Sequence, residues 1–402
     1  MEMFDGSITS PLGYRAAGVA CGLKKNGLPD LALVVSDCPA TAVGVFTRNI
    51  VKGHSLQLSR ANIQNGLARA VIINSGNANA CVGEPGMADA RSMAEWVAVQ
   101  AGCPANQVMT GSTGVIGKRL NMEAIRSGID QAFMALEATP EAGHRAERAI
   151  MTTDTVPKEC AVRFQAGGQT VTIAGMAKGS GMIRPNMATM ISVITADCAV
   201  DQGLLQDLLH RVTDRTFNRV SVDGDTSVCD MVIAMGNGLA GNPAITAGSA
   251  EALLLEQALE LVSTYLARLI AQDGEGATKL IEIIVRGAKS DADAYKIVSA
   301  IAHSPLVKTA MFGEDANCGR ILTAAGYSGA DFDPANCDIY LGDLKVFEKG
   351  VALLFDEEAA KNVLHQKEVL IRFELTEGTA SDRMWTCDFS YDYVKINGSY
   401  RT

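Results

Sequence analysis

The sequence predicts an α/β or α+β fold in which helices cover sheets. Strand-like apolar runs alternate with segments of helical apolar spacing along the whole 402-residue chain. Hydrophobic residues make up 48% of the chain and charged residues 20%, which is typical of a globular protein with a large core. The length corresponds to roughly two to three domains, and no low-complexity linker separates the halves.

The individual elements follow from these patterns in chain order. Short apolar runs predict strands at 31–36, 68–74, 189–196, 280–287, 369–376 and 385–396. Helical spacing predicts helices at 86–102, 120–136, 251–273 and 290–302. The strand at 189–196 is apolar on both faces, so we expect it between two layers. The stretch 138–170 is rich in turn residues and is interpreted as a surface boundary.

Charge and composition exclude several classes of protein. The formal net charge of −10 argues against a nucleic-acid partner, which would require a basic face. No run approaches about 20 apolar residues, so no membrane span is predicted. The first residues, MEMFDGSITS, lack the pattern of a signal peptide, and we expect a cytoplasmic location. The ten cysteines form no CxxC pair and the five histidines stand apart, so no metal site is predicted.

The segment VTIAGMAKGSGMIRPNMATMISVITA is the strongest candidate for chemistry. Glycines surround Lys178 and allow close approach of the backbone, but the GK[ST] order of a phosphate-binding loop is absent. A bend at 184–186 precedes the predicted strand, whose first residue is Thr189. By pattern alone, Thr189 is better interpreted as an ordinary strand residue than as a nucleophile.

Two polar, glycine-containing stretches lie upstream. GSTGVIG at 111–117 fails the dinucleotide fingerprint but groups several backbone N–H donors, as an oxyanion site requires. By pattern alone, an ordinary strand-to-helix turn is preferred for it. INSGNANACVG at 73–83 is interpreted as an Asx-rich turn, with a polar pocket wall as the alternative.

Three further stretches are read as loops or turns. TTDTVPK at 152–158 places three hydroxyls around Asp154. SVDGDTSVCDMV at 221–232 groups three aspartates but does not match calcium-loop spacing, and is interpreted as a turn and strand start. DGEGATK at 273–279 holds Glu275 between two glycines after the long helix. Glu275 is therefore either a plain loop residue or a carboxylate that binds a substrate amine.

Taken together, these stretches resemble the bifunctional glutamate N-acetyltransferase / ornithine acetyltransferase family of arginine biosynthesis. The resemblance spans nearly the whole chain. Its motifs, in order, are YRAAGVACGLKKNGLPDLALVVSD, INSGNANAC, TGSTGVIG, MTTDTVPK, GMAKGSGMIRPNMATM, DGEGATK, GEDANCGR and INGSYRT. The sequence departs from the family pattern at Cys318, where an aromatic residue is expected.

The resemblance implies an α+β fold, a layered αββα sandwich similar to N-terminal-nucleophile hydrolases but differently connected. It also implies a precursor that cuts itself between Ala188 and Thr189. The products would be an α chain of residues 1–188 and a β chain of residues 189–402 that begins with the nucleophile. We expect these chains to stay associated as an α2β2 heterotetramer.

The implied reaction moves acetyl from N2-acetylornithine to glutamate through an acetyl-threonine intermediate. A free α-amine on Thr189 would have a pKa of about 7.7–8.0 and would activate the hydroxyl of the same residue. In the family, the residues that stabilise the oxyanion are at the positions matching Thr113 and Gly114. Its substrate contacts match the positions Thr152, Lys178, Thr189, Glu275, Asn397 and Thr402.

The residues leave several alternatives open. No bound cofactor is expected, but the sequence does not decide whether acetyl-CoA is a second acetyl donor. An N-terminal-nucleophile aminopeptidase or amidase would use the same threonine with water as acceptor. A non-catalytic amino-acid-binding protein on the same scaffold would remain a single uncut chain. The expected partners are small-molecule amino-acid substrates.

Overall fold

A computed structural model describes residues 1–184 and 190–399 of the chain. The described residues form two compact units. The first contains residues 1–179, 190–218 and 225–266, and the second contains 180–184, 219–224 and 267–399. Each unit draws on both sides of the predicted cleavage bond, so the compact units do not coincide with the predicted products. The division of the chain at Ala188–Thr189 stays a prediction.

The first unit is built on a nine-stranded sheet. Its strands are β1 Glu2–Phe4, β2 Tyr14–Val19, β3 Leu31–Phe46, β4 Leu67–Asn77, β5 Val108–Val115, β6 Glu159–Ala166, β7 Gln169–Lys178, β8 Ile191–Ala196 and β9 Met231–Gly236. Its helices are α1 His54–Asn62, α2 Glu84–Ala101, α3 Met122–Met134, α4 Pro140–Ile150, α5 Gln202–Arg215 and residues 250–266 of α6 Ala250–Gln272.

The long strand β3 connects two halves of this sheet. Its beginning pairs with β2, and its end, from Thr41 to Phe46, pairs with β9. Beyond β9 the order continues through β8, β7 and β6 to β1, whereas β4 and β5 follow on the other side. The pairing between β3 and β4 shifts register between Val35 and Ala40. Irregularities of this kind bend a strand and increase its twist.

Alternation along β3 and β4 supplies two layers of core. Leu31, Leu33 and Ile72 pack with residues of α2 and α3. The alternate residues Val34 and Ile73 pack instead with side chains of β7, β8 and β9. On the far side of β7, a Cβ at position 175 would lie 2.6 Å from a methyl group of Val262 in α6. The layers therefore run helix, sheet, sheet, helix, and the predicted αββα arrangement is confirmed in this unit.

The second unit contains a six-stranded mixed sheet. Its strands are β10 Leu280–Ala288, β11 Cys337–Leu341, β12 Leu344–Glu348, β13 Val351–Ala352, β14 Glu368–Leu375 and β15 Ala380–Cys387. Its helices are α7 Asp291–His303, α8 Pro305–Phe312, α9 Cys318–Gly326, α10 Glu357–Leu364 and α11 Tyr391–Ser399, together with residues 267–272 of α6. Apolar residues of the sheet and of α7 to α9 form one core, and Cys318 packs against it.

Two sequence interpretations are wrong. The stretch 138–170 is not a boundary, because it contains all of α4 and β6, and both contribute buried residues to the first unit. The predicted strand at 385–396 is divided between the end of β15 and the helix α11. Tyr391 and Tyr393 lie in α11, and Phe389, which precedes the helix, stacks on Tyr393 with ring centroids 4.7 Å apart. Within the described ranges, no helix is long and apolar enough to cross a membrane.

Candidate functional site

Strand β8 follows two residues after the predicted nucleophile. All of its residues are buried, as its two apolar faces predict. It pairs antiparallel with β7 and parallel with β9, with Ile191 opposite both Lys178 and Met231. The carbonyl of Met190 accepts a hydrogen bond from the Met231 amide at 3.1 Å, which continues the pairing toward residue 189. Ala188, Thr189 and Thr402 lie outside the described residues.

Lys178 ends β7 and belongs to a buried group of charges in the first unit. Asp154 accepts hydrogen bonds from the Lys158 ammonium at 2.8 Å and from the Gly179 amide at 2.7 Å. A third bond, from the Thr152 amide at 2.9 Å, holds this predicted substrate residue beside the same carboxylate. Lys158 is completely buried and Lys178 is nearly so. One carboxylate thus fixes the backbone at both Thr152 and Gly179.

The buried carboxyls of this unit have different pKa values. Burial alone would raise the pKa of Asp154, but the charges of Lys178 and Lys158 outweigh it and hold that pKa well below its ordinary value. Burial raises the pKa of Glu147 in α4 to about 8, although its carboxylate accepts the Lys158 amide at 2.9 Å. Burial also raises the pKa of Asp230, which precedes β9, with the Lys178 charge opposing it. Asp154 is therefore the carboxyl of this group whose ionised form the two lysines favour.

The predicted oxyanion residues lie in a strand. Thr113 and Gly114 belong to β5, so the interpretation of 111–117 as a strand-to-helix turn is wrong. β5 pairs parallel with β4, and the register shifts at Gly76 and Asn77. Gly114 has a φ of +124°, and a Cβ there would lie 2.5 Å from the Gly76 carbonyl carbon. Glycine at both positions permits this close backbone approach and leaves the pairing irregular.

A buried polar network supports this part of β5. The Ser112 hydroxyl donates to the Asn74 side-chain oxygen at 2.6 Å. Its oxygen also lies 2.7 Å from the hydroxyl of Ser55, which accepts a bond from Asn79 at 3.2 Å. All four side chains are buried. The asparagine-rich stretch is thus mainly the end of β4 with a polar wall, and the predicted Asx turn is confined to Asn77 and Asn79.

The second unit holds Glu275 and Asn397. The Glu275 amide donates to the Ser180 carbonyl at 2.9 Å, and Asn397 of α11 donates to the Glu275 carboxylate at 2.8 Å. A Cβ on residue 181 would lie 2.3 Å from the Glu275 carboxyl carbon, so the glycine makes room for this carboxylate. Glu275 is buried whereas Asn397 is exposed on its helix. The structure therefore brings these two predicted substrate residues together.

Asp223 also holds the backbone in the second unit, although the sequence indicated only a turn at this position. Its carboxylate accepts the amides of Met182 at 2.6 Å and Ile183 at 2.9 Å. Met182 has a φ of +58°, a conformation that is uncommon for a side chain of this size. Asp223 thus fixes the last described residues before the predicted cleavage point. The aspartate cluster in the sequence was the only signal for this role.

The predicted site residues are brought together in two groups. The first unit gathers Thr152 and Lys178 around Asp154, and places Thr113 and Gly114 in β5. The second unit joins Glu275 to Asn397. The sequence placed Asp154 in a loop rich in hydroxyls but indicated neither its bond to Gly179 nor the Ser112–Asn74 pair, because these partners are distant in the chain. No group of three metal-binding side chains is found in the part of the chain that the structure describes.

Comparisons with known proteins agree with this arrangement. A model described as "ArgJ family" matches residues 15–402. An arginine biosynthesis bifunctional protein ArgJ from Symbiobacterium thermophilum is 51% identical, and the alignment covers 100% of both chains. The protein of the same name from Caldanaerobacter subterraneus subsp. tengcongensis is 50% identical with the same coverage. A crystal structure of the argJ protein from Bacillus halodurans is 43% identical, with a TM-score of 0.50, and covers 51% of this chain and 97% of its own.

These findings define the class of protein first: it is an acetyltransferase of arginine biosynthesis, as the sequence motifs predicted. More particularly, the chain belongs to the ArgJ family, which matches it almost from end to end. The fold class and the family resemblance are therefore confirmed. The roles of individual site residues stay predictions.

Proposed function

We propose that the chain cuts itself between Ala188 and Thr189 and then moves acetyl from N2-acetylornithine to glutamate. The observation that carries this proposal is the family membership of the whole chain, with the motif GMIRPNMATM intact. The solved Bacillus halodurans chain supports the cleavage, because 97% of its length corresponds to only 51% of this chain. A separate polypeptide of about half the length is what a cut near the middle would produce.

The pairing of the strands explains how the products would stay together. β7 belongs to the proposed α chain and β8 to the proposed β chain, and they pair from Ile173 opposite Ala196 to Lys178 opposite Ile191. β9 of the β chain pairs likewise with β3 of the α chain. Breaking one peptide bond would leave these ladders and the buried core between them intact. We propose, by resemblance to the family, that two such pairs form an α2β2 heterotetramer.

The proposed chemistry begins with the hydroxyl of Thr189. In self-cleavage, this oxygen attacks the Ala188 carbonyl, and the carbon–nitrogen bond breaks as the ester forms, which frees the α-amine of Thr189. Hydrolysis of the ester then releases the Ala188 carboxylate and restores the Thr189 hydroxyl. That amine has a reference pKa of about 7.7–8.0, so near neutral pH a substantial fraction can accept the hydroxyl proton. This type of activation needs no histidine. It also needs no bound cofactor.

Acetyl transfer then takes two steps. The Thr189 oxygen attacks the acetyl carbonyl of N2-acetylornithine, the carbon–nitrogen bond breaks, and the proton passes to the departing amine of ornithine. The amine of glutamate next attacks the acetyl-threonine ester and returns a proton to the threonine oxygen. Each step passes through an oxyanion, and we assign the stabilisation of this oxyanion to Thr113 and Gly114. A donor of this kind typically contributes about 3 kcal/mol to lowering the barrier.

We assign substrate binding to Thr152, Lys178, Thr189, Glu275, Asn397 and Thr402. Lys178 is suited to a substrate carboxylate, since its charge lies in a buried setting where ionic interactions are strong. Glu275 is suited to the ammonium group of ornithine, since its buried carboxylate accepts a hydrogen bond from Asn397 and has lone pairs for further donors. Bound substrates would exclude water from the site and so protect the acetyl-threonine ester from hydrolysis.

Acetyl-CoA is a second donor that we propose for the same acceptor. The relatives are named bifunctional, which supports two activities in one chain. An aminopeptidase or amidase remains the alternative and differs in using water as acceptor. A cytoplasmic location, and the absence of nucleic-acid and membrane partners, stay predictions from the sequence.

One experiment tests the cleavage. Purified protein is compared with Thr189→Ala on a denaturing gel, followed by N-terminal sequencing. We expect two bands that begin at Met1 and Thr189 in the wild type, and a single uncut band in the variant. A single wild-type band would refute the proposal. Assays with N2-acetylornithine or acetyl-CoA, with and without glutamate, then separate acetyl transfer from hydrolysis.

A further inference from the structure

Lys24 lies in a rigid loop between β2 and β3 to which no role has been assigned. The backbone amides of residues 21–24 all donate to the carboxylate of Asp30 over distances of 2.7 to 3.1 Å. Asp30 is completely buried at the start of the sheet. Four hydrogen bonds to one fixed carboxylate hold this loop in a single conformation. The position of Lys24 is therefore set by the sheet.

The side chain of Lys24 passes over the backbone next to the predicted oxyanion residues. Its Cγ lies 3.4 Å from the place where a Cβ on Gly76 would stand. A Cβ on Gly114 would in turn lie 2.5 Å from the Gly76 carbonyl carbon, so Gly76 borders both the Lys24 stem and Gly114. The Lys24 ammonium donates to the Pro29 carbonyl at 2.7 Å, which leaves two of its protons for other acceptors.

The charge of Lys24 has no ion pair within the described residues, although the side chain is half-buried. Burial lowers the pKa of Lys24, the carboxylates of Asp30 and Asp154 oppose this, and the charge of Lys178 lowers it further. The positive charges of Lys24 and Lys178 therefore oppose each other, and Lys178 ends the strand β7 of the same unit. Asp154, whose negative charge acts on both lysines, is already bonded to Lys158 at 2.8 Å.

Two ammonium groups that repel in a partly buried setting favour a ligand with negative charge. Glutamate, the acceptor in the proposed function, carries two carboxylates, whereas N2-acetylornithine carries one. We propose that Lys24 binds the side-chain carboxylate of the acceptor glutamate, and that Lys178 binds its α-carboxylate. This inference rests on the proposed function and assigns to Lys24 the selection of glutamate over acceptors without a side-chain charge.

The test compares Lys24→Gln with wild type in both half-reactions. Glutamine at position 24 keeps a polar stem that can still donate to Pro29, but it removes the charge. We expect kcat/KM for glutamate to fall by about 10-fold to 100-fold, as for loss of a charged hydrogen bond. We expect kcat/KM for N2-acetylornithine to change by less than about 2-fold, and the preference for glutamate over glutamine as acceptor to fall by about 10-fold or more.

Two matched variants complete the experiment. Lys25→Gln removes the neighbouring exposed lysine, and we expect wild-type kinetics. Lys24→Arg keeps the charge, and we expect it to retain most of the preference for glutamate over glutamine. If Lys24→Gln fails to fold, Lys24→Met and Lys24→Arg provide the same comparison of charge removed and charge kept.

The outcomes separate this inference from the proposed function. Equal losses for both substrates would indicate a general effect on the oxyanion and would overturn the assignment of Lys24 to glutamate. Unchanged acceptor preference in Lys24→Gln would also overturn it, while leaving the proposed transfer intact. A wild-type protein that transfers no acetyl to glutamate would instead overturn the proposed function itself.

Discussion

The two compact units position their predicted substrate-binding side chains in different ways. In the first unit, Lys178 belongs to a buried group of charges in which Asp154 bonds Lys158 and two backbone amides. In the second, Glu275 occupies the space left by a glycine and is held by one side-chain bond from the exposed Asn397. A buried ion pair that loses one partner is costly, whereas a single bond from an exposed residue is not. Loss of the Asp154 carboxylate should therefore mainly lower the stability of the fold. Loss of the Glu275 charge should mainly weaken substrate binding.

Asp154→Ala tests the first half of this comparison and has the largest expected effect. The substitution removes the carboxylate from the completely buried Lys158 and from the amides of Thr152 and Gly179. We expect the free energy of unfolding to fall by about 3–5 kcal/mol. Urea unfolding in a Thr189→Ala background measures this on uncut chains.

Asp37→Ala is the matched control, because Asp37 forms an exposed ion pair with Arg15 in the same unit. We expect a loss of about 1 kcal/mol or less there. Equal losses in the two variants would contradict the idea that buried charges stabilise this region.

Glu275→Gln tests the second half of the comparison. The amide keeps an oxygen for the Asn397 bond but removes the charge that we assign to the ornithine ammonium. We expect kcat/KM for N2-acetylornithine to fall by about 10-fold to 100-fold, with the free energy of unfolding within about 0.5 kcal/mol of wild type. Steady-state kinetics and urea unfolding of the same preparation measure both.

Two further variants sharpen this result. Glu275→Lys reverses the charge and should weaken the ornithine side further, whereas Asn397→Ala should cost about 1 kcal/mol of binding. Unchanged affinity on the ornithine side in Glu275→Lys would show that Glu275 does not bind this ammonium.

Glu147→Gln concerns the pH dependence of stability in the first unit. The pKa of Glu147 is raised from 4.5 to about 8 by burial, so the folded protein favours the protonated form. The stability that this shift contributes is fully present below about pH 4.5 and is lost as pH rises through about 8. Glutamine cannot titrate, so wild type should lose roughly 4 kcal/mol more than the variant between pH 5 and pH 9.

The measurement is urea unfolding of both proteins across this pH range. Taking the difference between them cancels the titration of all other groups. A difference that stays constant with pH would contradict a buried, protonated Glu147.

Much of the fold was predictable because apolar periodicity is local. The strand at 280–287 and the helix at 251–273 were predicted to within one residue of β10 and α6. The sequence missed the true length of β3, because its second half, CPATAVGVF, mixes proline, glycine and small residues. Pairing with β9 and β4 makes that segment a strand. Such pairing is a property of distant chain segments and leaves little trace in local composition.

The sequence by itself determined the family, the αββα class and the identity of the candidate residues, because these depend on residue types in a fixed order. Tertiary structure alone decided which other residues hold the candidate residues in place by hydrogen bonds. Asp154 meets Gly179 across 25 positions and Met182 meets Asp223 across 41, and only folding brings such partners together. It also decided the charge states, since burial raises the pKa of Glu147 whereas the charges of Lys178 and Lys158 lower that of Asp154, although both are carboxylic acids.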